Sequence, residues 1–137
     1  IANNCLLAGY VEVEDGAFLG GGSVYHQFIR VGRLVVARGL GAFSMSLPPY
    51  TIGWSVNRVA GLNAVGLRRA GLTPARRAEI KEAFRLLYQS GLTVSAALAE
   101  ADKRQWGAEG SAFFDFVRNA GKRGVAPYRA GGRAEQD

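Results

Sequence analysis

The fold is decided by residues 1–43, which read IANNCL LAGYVE VEDGAF LGGGSV YHQFIR VGRLVV ARGLGA F in units of six. The first position of these units is apolar throughout, in Ile1, Leu7, Val13, Leu19, Tyr25, Val31, Ala37 and Phe43. The fifth position is mostly small or β-branched, in Cys5, Val11, Ala17, Ser23, Ile29, Val35 and Gly41. A helix repeats every ~3.6 residues and a strand every ~2, so neither explains this period. We predict a parallel β-helix, a coil with three flat sides, each made by one unit.

Length and charge limit the classes of protein to consider. The chain has 137 residues, enough for one core or two small ones. It carries 17 Lys and Arg against 11 Asp and Glu, and the net charge of +6 favours an acidic partner. The basic residues are scattered without interleaved aromatic residues, so we do not expect a nucleic-acid partner. The lone Cys5 indicates a reducing compartment, and no apolar run is long enough for an integral membrane segment.

The six-residue repeat is expected to end at Pro48 and Pro49, because proline cannot donate a hydrogen bond to a β-ladder. Residues 51–62 are then predicted to form a connector with one short extended piece at residues 51–54. The composition thus divides the chain into a repeat domain over residues 1–54, a helical domain over 55–125 and a mobile Gly/Arg-rich tail over 126–137.

Four helices are predicted in the second domain. Hydroxyl or amide side chains at their starts can cap the first turn, and glycines after their last turns are suitable ends. The predicted starts are Asn63, Thr73, Thr93 and Ser111, and the predicted ends are Gly71, Gly91 and Gly121. Helices this short need tertiary packing to persist, so we expect them to cover the end of the prism and one another.

The only histidine, His26, is followed by Gln27 and preceded by three glycines at residues 20–22, where a ligand could approach the backbone closely. One turn of the coil takes about eighteen residues if three units make a turn. Gly9 and Tyr10 are therefore expected directly below His26 and Gln27 on the same edge. Such an edge is either a polar groove or a solvated corner, and the spacing alone does not decide between them.

Several segments recur in an order that resembles a known family. They are Ile1-Ala2-Asn3-Asn4, Leu7-Ala8-Gly9, Gly20-Gly21, His26-Gln27-Phe28, Pro48-Pro49-Tyr50 and Gly61-Leu62-Asn63-Ala64-Val65-Gly66-Leu67-Arg68-Arg69. Over residues 1–125 the chain is similar to the C-terminal half of the acyl-carrier-protein–UDP-N-acetylglucosamine O-acyltransferases, which begin lipid A synthesis. The resemblance implies a left-handed parallel β-helix followed by a small α-helical domain, in a homotrimer with active sites between neighbouring prisms.

The resemblance also implies roles for individual residues. Gly9 matches the glycine whose backbone N–H stabilises the oxyanion of the reacting thioester. His26 matches an assisting residue of the catalytic site, and Tyr10, Gly21 and Gln27 match positions that line the substrate cleft.

Further implied roles concern the nucleotide and the acyl chain. Asn63, Arg68 and Arg69 match the segment that contacts uridine and phosphate, and a guanidinium suits phosphate well. From composition alone, both arginines would be read as a solvated helix face. Gly39 matches the floor of the acyl groove, the hydrocarbon ruler, where a glycine leaves room for a long chain.

The family would supply hydroxyacyl transfer from acyl carrier protein to the 3-hydroxyl of UDP-N-acetylglucosamine, without metal or cofactor, in the bacterial cytoplasm. The chain departs from the family at Tyr10, where a histidine is usual, at Ala70, often basic, at Tyr25, usually small and aliphatic, and at Arg38, usually glycine.

The chain begins within a repeat, and a solenoid needs a cap at each end, so we expect a C-terminal part of a longer protein. The family's catalytic histidine would precede Ile1, so we expect this chain alone to be essentially inactive. The alternatives are a non-catalytic truncated paralogue or fragment that trimerises and binds nucleotide-sugar, and a hexapeptide-repeat acyltransferase with another acceptor.

Overall fold

The computed structural model of the chain describes residues 1–121 and 123–129. Its first third consists of seven two-residue strands, each placed six residues after the one before. They are β1 (Leu6–Leu7), β2 (Glu12–Val13), β3 (Phe18–Leu19), β4 (Val24–Tyr25), β5 (Arg30–Val31), β6 (Val36–Ala37) and β7 (Ala42–Phe43). The strands are short because the chain turns a corner after every flat segment.

These strands enter three sheets in turn, so that every third strand joins the same sheet. The first sheet has the order β1-β4-β7, the second pairs β2 with β5, and the third contains β3 and β6. All of these pairs are parallel, and Leu7 lies opposite Tyr25, which lies opposite Phe43. The partners are eighteen residues apart, as three six-residue units require. The prediction of parallel sheets followed by helices is confirmed.

The side chains at the first and fifth positions form the core of this region. From Leu19 onward every first-position residue is buried, and the same holds at the fifth position from Ser23 onward. Tyr25, which is large for this place, stacks on Phe43 with ring centroids 5.5 Å apart. Its hydroxyl donates to Ser23 Oγ at 2.9 Å, and Ser23 Oγ donates to the Gly20 carbonyl at 2.6 Å. The core therefore accommodates a tyrosine by satisfying its hydroxyl.

The corners between the flat segments have a left-handed backbone at the fourth position of every unit. The φ values lie between 59° and 73° at Asn4, Tyr10, Gly16, Gly22, Phe28, Leu34 and Leu40. A non-glycine residue with positive φ is strained, yet four of these seven are large side chains. Two of them lie over glycines of the preceding turn: a Cβ at Gly16 would be 2.6 Å from Leu34, and one at Gly22 would be 2.8 Å from Leu40.

The two prolines do not end the sheet, contrary to the sequence prediction. The strand β8 (Thr51–Trp54) follows them and pairs in parallel with β6 in the third sheet. The register of this turn shortens, because Val36 lies opposite Ile52, sixteen residues later. A strand that was not predicted, β9 (Arg58–Leu62), then folds back antiparallel onto β8.

Four helices follow the sheets: α1 (Ala64–Arg69), α2 (Pro74–Tyr88), α3 (Val94–Asp102) and α4 (Ala108–Arg118). The predicted caps of the first three are confirmed, since Asn63, Thr73 and Thr93 each accept a backbone N–H of the first turn. The fourth helix starts before Ser111, with Gly107 as its N-cap. The helices bury a second core that includes Ile80, Leu87, Phe113 and Phe114.

Residues 123–129 return to the strands. Val125 bridges to Ser46, and Tyr128 bridges to Val59. Ala126 is buried, and its carbonyl accepts the Tyr88 hydroxyl at 2.8 Å. Residues 126–129, assigned by the sequence to a mobile tail, thus pack against the fold, while residues 130–137 of that tail lie outside the described part.

Candidate functional site

The edge that contains His26 is built by the turn from β4 to β5 lying over the turn from β1 to β2. Gly9 lies below Gln27 as predicted: a Cβ at Gly9 would be 3.7 Å from Gln27 Nε2. The Phe28 N–H donates to the Gly9 carbonyl at 3.3 Å. The Gly9 N–H itself donates to no backbone carbonyl within the described residues.

The prediction for Tyr10 is shifted by one corner position. Tyr10 lies below Phe28, not below Gln27, and the two rings stack with centroids 5.2 Å apart and planes 5° apart. The register that pairs Leu7 with Tyr25 places Ala8 below His26. The edge therefore presents an exposed aromatic pair next to Gly9 and Gln27, because the corner residues of successive turns share a left-handed backbone and stack.

His26 lines an open groove at the first sheet. The groove is lined by Cys5, Leu6, Leu7, Ala8, Val24, Tyr25 and His26. The imidazole is exposed and makes no hydrogen bond to the described part of the chain. The walls of the groove are mainly apolar, and Leu6 in them is 66% exposed. The geometry suits an apolar ligand beside a side chain that can transfer protons.

A second corner exposes the main chain at two glycines, Gly21 and Gly39. Asn3, Gly21 and Gly39 are eighteen residues apart and lie over one another: the Gly22 N–H donates to the Asn3 carbonyl at 3.0 Å, and the Leu40 N–H donates to the Gly21 carbonyl at 2.9 Å. A Cβ at Gly39 would lie 3.1 Å from the Gly21 carbonyl oxygen. Both glycines are exposed, so they form a strip along which a ligand can approach the main chain.

The third group of predicted site residues lies at α1, and among the described residues it makes no hydrogen bond or ion pair with the His26 edge. Asn63 is buried, and its side chain is fully engaged: Nδ2 donates to the Leu34 carbonyl at 2.8 Å, and Oδ1 accepts the Gly66 N–H at 3.1 Å. Arg68 and Arg69 are exposed in the last turn of the helix. Asn63 thus fixes the helix that carries both arginines.

The sequence analysis missed two cations beside Arg68. Arg77 and Lys81 lie one turn apart on α2 and line a groove with Arg68, whose apolar part includes Leu62 and Leu67. Their spacing of four residues in a predicted helix was the signal that could have found them. The neighbouring Arg85 is neutralised by Glu82, whose pKa falls to about 2, chiefly through the hydrogen bond from Arg85 and then that from Arg104.

Neither a metal centre nor a membrane-spanning helix is found in residues 1–121 and 123–129. No three His, Cys, Asp or Glu side chains there are grouped so that they could hold a metal ion. None of the helices in the same range has both the length and the apolar character needed to cross a bilayer.

Comparison with known proteins places the chain in a family. The profile described as UDP-N-acetylglucosamine O-acyltransferase, domain 2, matches residues 47–126. The chain belongs to this family. A family member from Anaeromyxobacter sp. (strain K), named acyl-[acyl-carrier-protein]–UDP-N-acetylglucosamine O-acyltransferase, is 37% identical over 127 residues, which are 91% of this chain and 49% of the relative. A protein of the same name from Gloeothece citriformis is 40% identical over 103 residues, which are 74% of this chain and 37% of that protein.

Solved structures of the family agree with these similarities. The Francisella novicida UDP-N-acetylglucosamine acyltransferase matches with a TM-score of 0.83 at 30% identity, over 93% of this chain and 47% of that one. The Arabidopsis enzyme matches with a TM-score of 0.82 at 32% identity, over 90% of this chain and 47% of that enzyme. The chain spans about half the length of the curated relatives it matches.

Proposed function

We propose that the protein that carries this chain transfers a hydroxyacyl group from acyl carrier protein to the 3-hydroxyl of UDP-N-acetylglucosamine, the first step of lipid A biosynthesis. The observation that carries the proposal is that a relative named for this reaction is 37% identical across 91% of the chain. The net charge of +6 suits an acidic carrier protein. The reaction is placed in the bacterial cytoplasm and needs no cofactor.

For the fold, the proposal is a left-handed parallel β-helix over residues 1–54, followed by a helical domain over 55–125. The eighteen-residue register of the three parallel sheets supports the coil. The likeness to solved acyltransferases over nine-tenths of the chain supports its hand. The assembly proposed is a homotrimer, with the cleft between neighbouring prisms.

At the His26 edge, the Gly9 N–H is the proposed oxyanion donor, and its freedom from backbone partners in the described residues supports this role. His26 is proposed to assist the transfer, and its exposed imidazole in the apolar groove is available to a substrate. Gln27, Tyr10 and Gly21 are proposed to line the cleft. The Tyr10 ring is stacked on Phe28, and Tyr10 would contact the substrate through this ring.

Gly39 is proposed to set the length of the acyl chain. The strip of Gly21 and Gly39 leaves space beside the main chain, and a Cβ at Gly39 would already lie 3.1 Å from the Gly21 carbonyl. We expect the enzyme to prefer long hydroxyacyl donors, and Gly39→Met to shift the preference toward shorter ones. Competition between donors of different length measures this, and an identical ranking by both proteins would exclude Gly39 as the ruler.

The nucleotide is proposed to bind beside α1, with the exposed Arg68 and Arg69 on its phosphates. The Asn63 side chain, already bonded to Leu34 and Gly66, would contribute by holding the helix in place.

Titration calorimetry with UDP-N-acetylglucosamine and with its acylated product tests the proposal on the chain itself. We expect binding that weakens roughly tenfold or more in Arg69→Ala, because a charge-assisted hydrogen bond is lost. Lys103→Ala, an exposed cation of the α3 C-cap, is the matched control and should bind like the parent. Absence of binding by either ligand, or equal losses in both variants, would contradict the nucleotide site.

A further inference from the structure

The tip of the β8–β9 hairpin and the returning chain enclose a polar cavity that the proposed acyltransferase site does not use. It is lined by Ser55, Val56, Asn57, Arg58, Pro127 and Arg129. The hairpin side comes from the tight turn after Trp54, and the other side comes from the segment whose Tyr128 bridges to Val59. Two of the six lining residues are arginines, and none is acidic.

The Arg58 guanidinium is fixed in this cavity before any ligand arrives. Its Cζ lies 4.4 Å from the centroid of the Trp54 ring, a cation–π contact. Its Nε donates to the Arg129 carbonyl at 2.8 Å. Ring stacking and this one hydrogen bond hold the plane of the guanidinium, so the entropy of ordering it is already lost in the free protein.

The same guanidinium has an unmet hydrogen-bonding edge. Arg58 Nη2 is buried and has no hydrogen-bond partner in residues 1–121 and 123–129. No carboxylate in that part of the chain forms an ion pair with Arg58, in contrast to Arg30, Arg85 and Arg118. A buried donor without a partner is costly, and a charged one more so.

We propose that this cavity binds a phosphate group, free or as a monoester. A tetrahedral oxyanion offers several acceptor oxygens, which suits the N–H donors of a fixed guanidinium that the Arg129 carbonyl leaves unused, Nη2 among them. Arg129 lines the same cavity and adds a second positive charge, and the Ser55 hydroxyl adds a further donor. The site lies on the β8–β9 hairpin and is separate from the nucleotide segment on α1, so it does not rest on the proposed acyl transfer.

The test is a titration of the full chain with inorganic phosphate at constant ionic strength, followed by the Arg58 Nη2–H resonance in NMR and by the melting temperature. We expect a saturable shift of that resonance and a rise in melting temperature, because the anion binds the folded state. Arg58→Gln should weaken phosphate binding by roughly ten- to a hundredfold, since a hydrogen bond to a charged group is lost. Arg58→Lys, which keeps the charge but loses the fork, should weaken it less.

Arg77→Gln is the matched control, because it removes one positive charge from a distant groove on α2. We expect it to bind phosphate like the parent. Methyl phosphate, titrated in parallel, reports whether a monoester is accepted, and binding of either probe supports the site. The proposal is overturned if the Arg58 resonance does not saturate with either probe, or if Arg77→Gln weakens binding as much as Arg58→Gln does.

Discussion

Tyr25 stands where the family usually has a small aliphatic residue, and the narrow core of the prism accommodates its larger side chain. Its ring stacks on Phe43, and its hydroxyl passes a hydrogen bond through Ser23 to the Gly20 carbonyl. Burial raises the pKa of Tyr25 to about 12, because the phenolate would lose its hydration. Burial also raises the pKa of Tyr50 and of Tyr88 above their ordinary value.

These tyrosines predict a loss of stability at alkaline pH. The unfolded chain releases the phenolic protons near pH 10, whereas the folded chain keeps them, so the stabilisation is complete below about pH 10 and declines as pH rises toward 12. Tyr25→Phe should make the free energy of unfolding fall less steeply over this window. Denaturant titrations at several pH values measure the slopes, and equal slopes in both proteins would contradict the assignment.

Gly20 is predicted not to tolerate a side chain. A Cβ there would lie 2.3 Å from the Gly39 backbone nitrogen, which cannot move aside as a side chain can. Gly20→Ala should destabilise the fold by about 1–3 kcal/mol, the usual cost of overpacking. Gly61→Ala is the control, since nothing lies within 4 Å of its added carbon. Urea unfolding compares them, and equal midpoints would contradict the close approach.

Among single residues, the sequence predicts the inward ones best. The first and fifth positions followed from period alone, and so did the placement of Gly9 below Gln27. The prediction for Tyr10 is one position away from the observed one, because it allows stacked residues to be seventeen as well as eighteen positions apart. The left-handed corners could not be predicted, since Phe28, Leu34 and Leu40 are poor residues for positive φ and only stacking between turns selects it.

The helix α4 depends on a cap supplied by another helix. Its N-cap is Gly107, which has no side chain, and Glu79 of α2 takes over the role. Glu79 Oε2 accepts the Gly107 N–H at 3.0 Å, and Oε1 accepts the Gly110 N–H at 2.8 Å. The carboxylate also lies at the positive end of the helix dipole. This explains why the helix starts before Ser111: the capping residue lies 28 residues earlier in sequence.

Replacing that cap should loosen α4 from α2. We expect Glu79→Ala to lower the free energy of unfolding by about 1–2 kcal/mol, as loss of an N-cap does. Glu79→Gln keeps one acceptor and should cost about half as much. Glu100→Ala, which removes an exposed carboxylate paired with Lys103, should change stability by less than about 1 kcal/mol. Amide exchange in the first turn of α4 is the local readout, and unchanged exchange in Glu79→Ala would contradict the cap.

At the level of elements, the helices were predictable and the hairpin was not. The caps at Asn63, Thr73 and Thr93 are local signals, and the structure uses all three. The sequence predicts that the repeat ends at Pro48 and Pro49, because proline has no backbone N–H to donate to a ladder. They occupy the shortened corner instead, and the chain regains the ladder at β8. The spacing between paired residues falls there from eighteen to sixteen. This change depends on contacts with the previous turn, so no local sequence pattern predicts it.

One charged side chain of the second sheet makes a direct contact with the helices. Arg30 on β5 lies 4.6 Å from the Phe116 ring of α4, and its Nη2 donates to Glu14 at 2.8 Å. The helical part thereby covers the second sheet. On the first turn of the other two sheets, two outward side chains are exposed, Leu6 at 66% and Phe18 at 51%.

Those open apolar faces predict association of the whole molecule. We expect a homotrimer in solution, because three prisms around a threefold axis would bury the first and third sheets of each copy. Light scattering should give about three times the 14.6 kDa of the chain. Leu6→Lys should shift the mass toward the monomer, while Leu92→Lys, on the exposed helical side, should not. A monomer mass for the parent at micromolar concentration would contradict the trimer.

The antiparallel strand β9 also governs how such a molecule can grow. A parallel coil offers its last strand as a template on which another chain can add, and repeated addition of that kind leads to fibres. Here the edge of β8 is already occupied by β9, and beyond it Val59 is bridged by Tyr128. Addition of another chain to β8 at this end of the third sheet is therefore blocked, because β9 already occupies that edge.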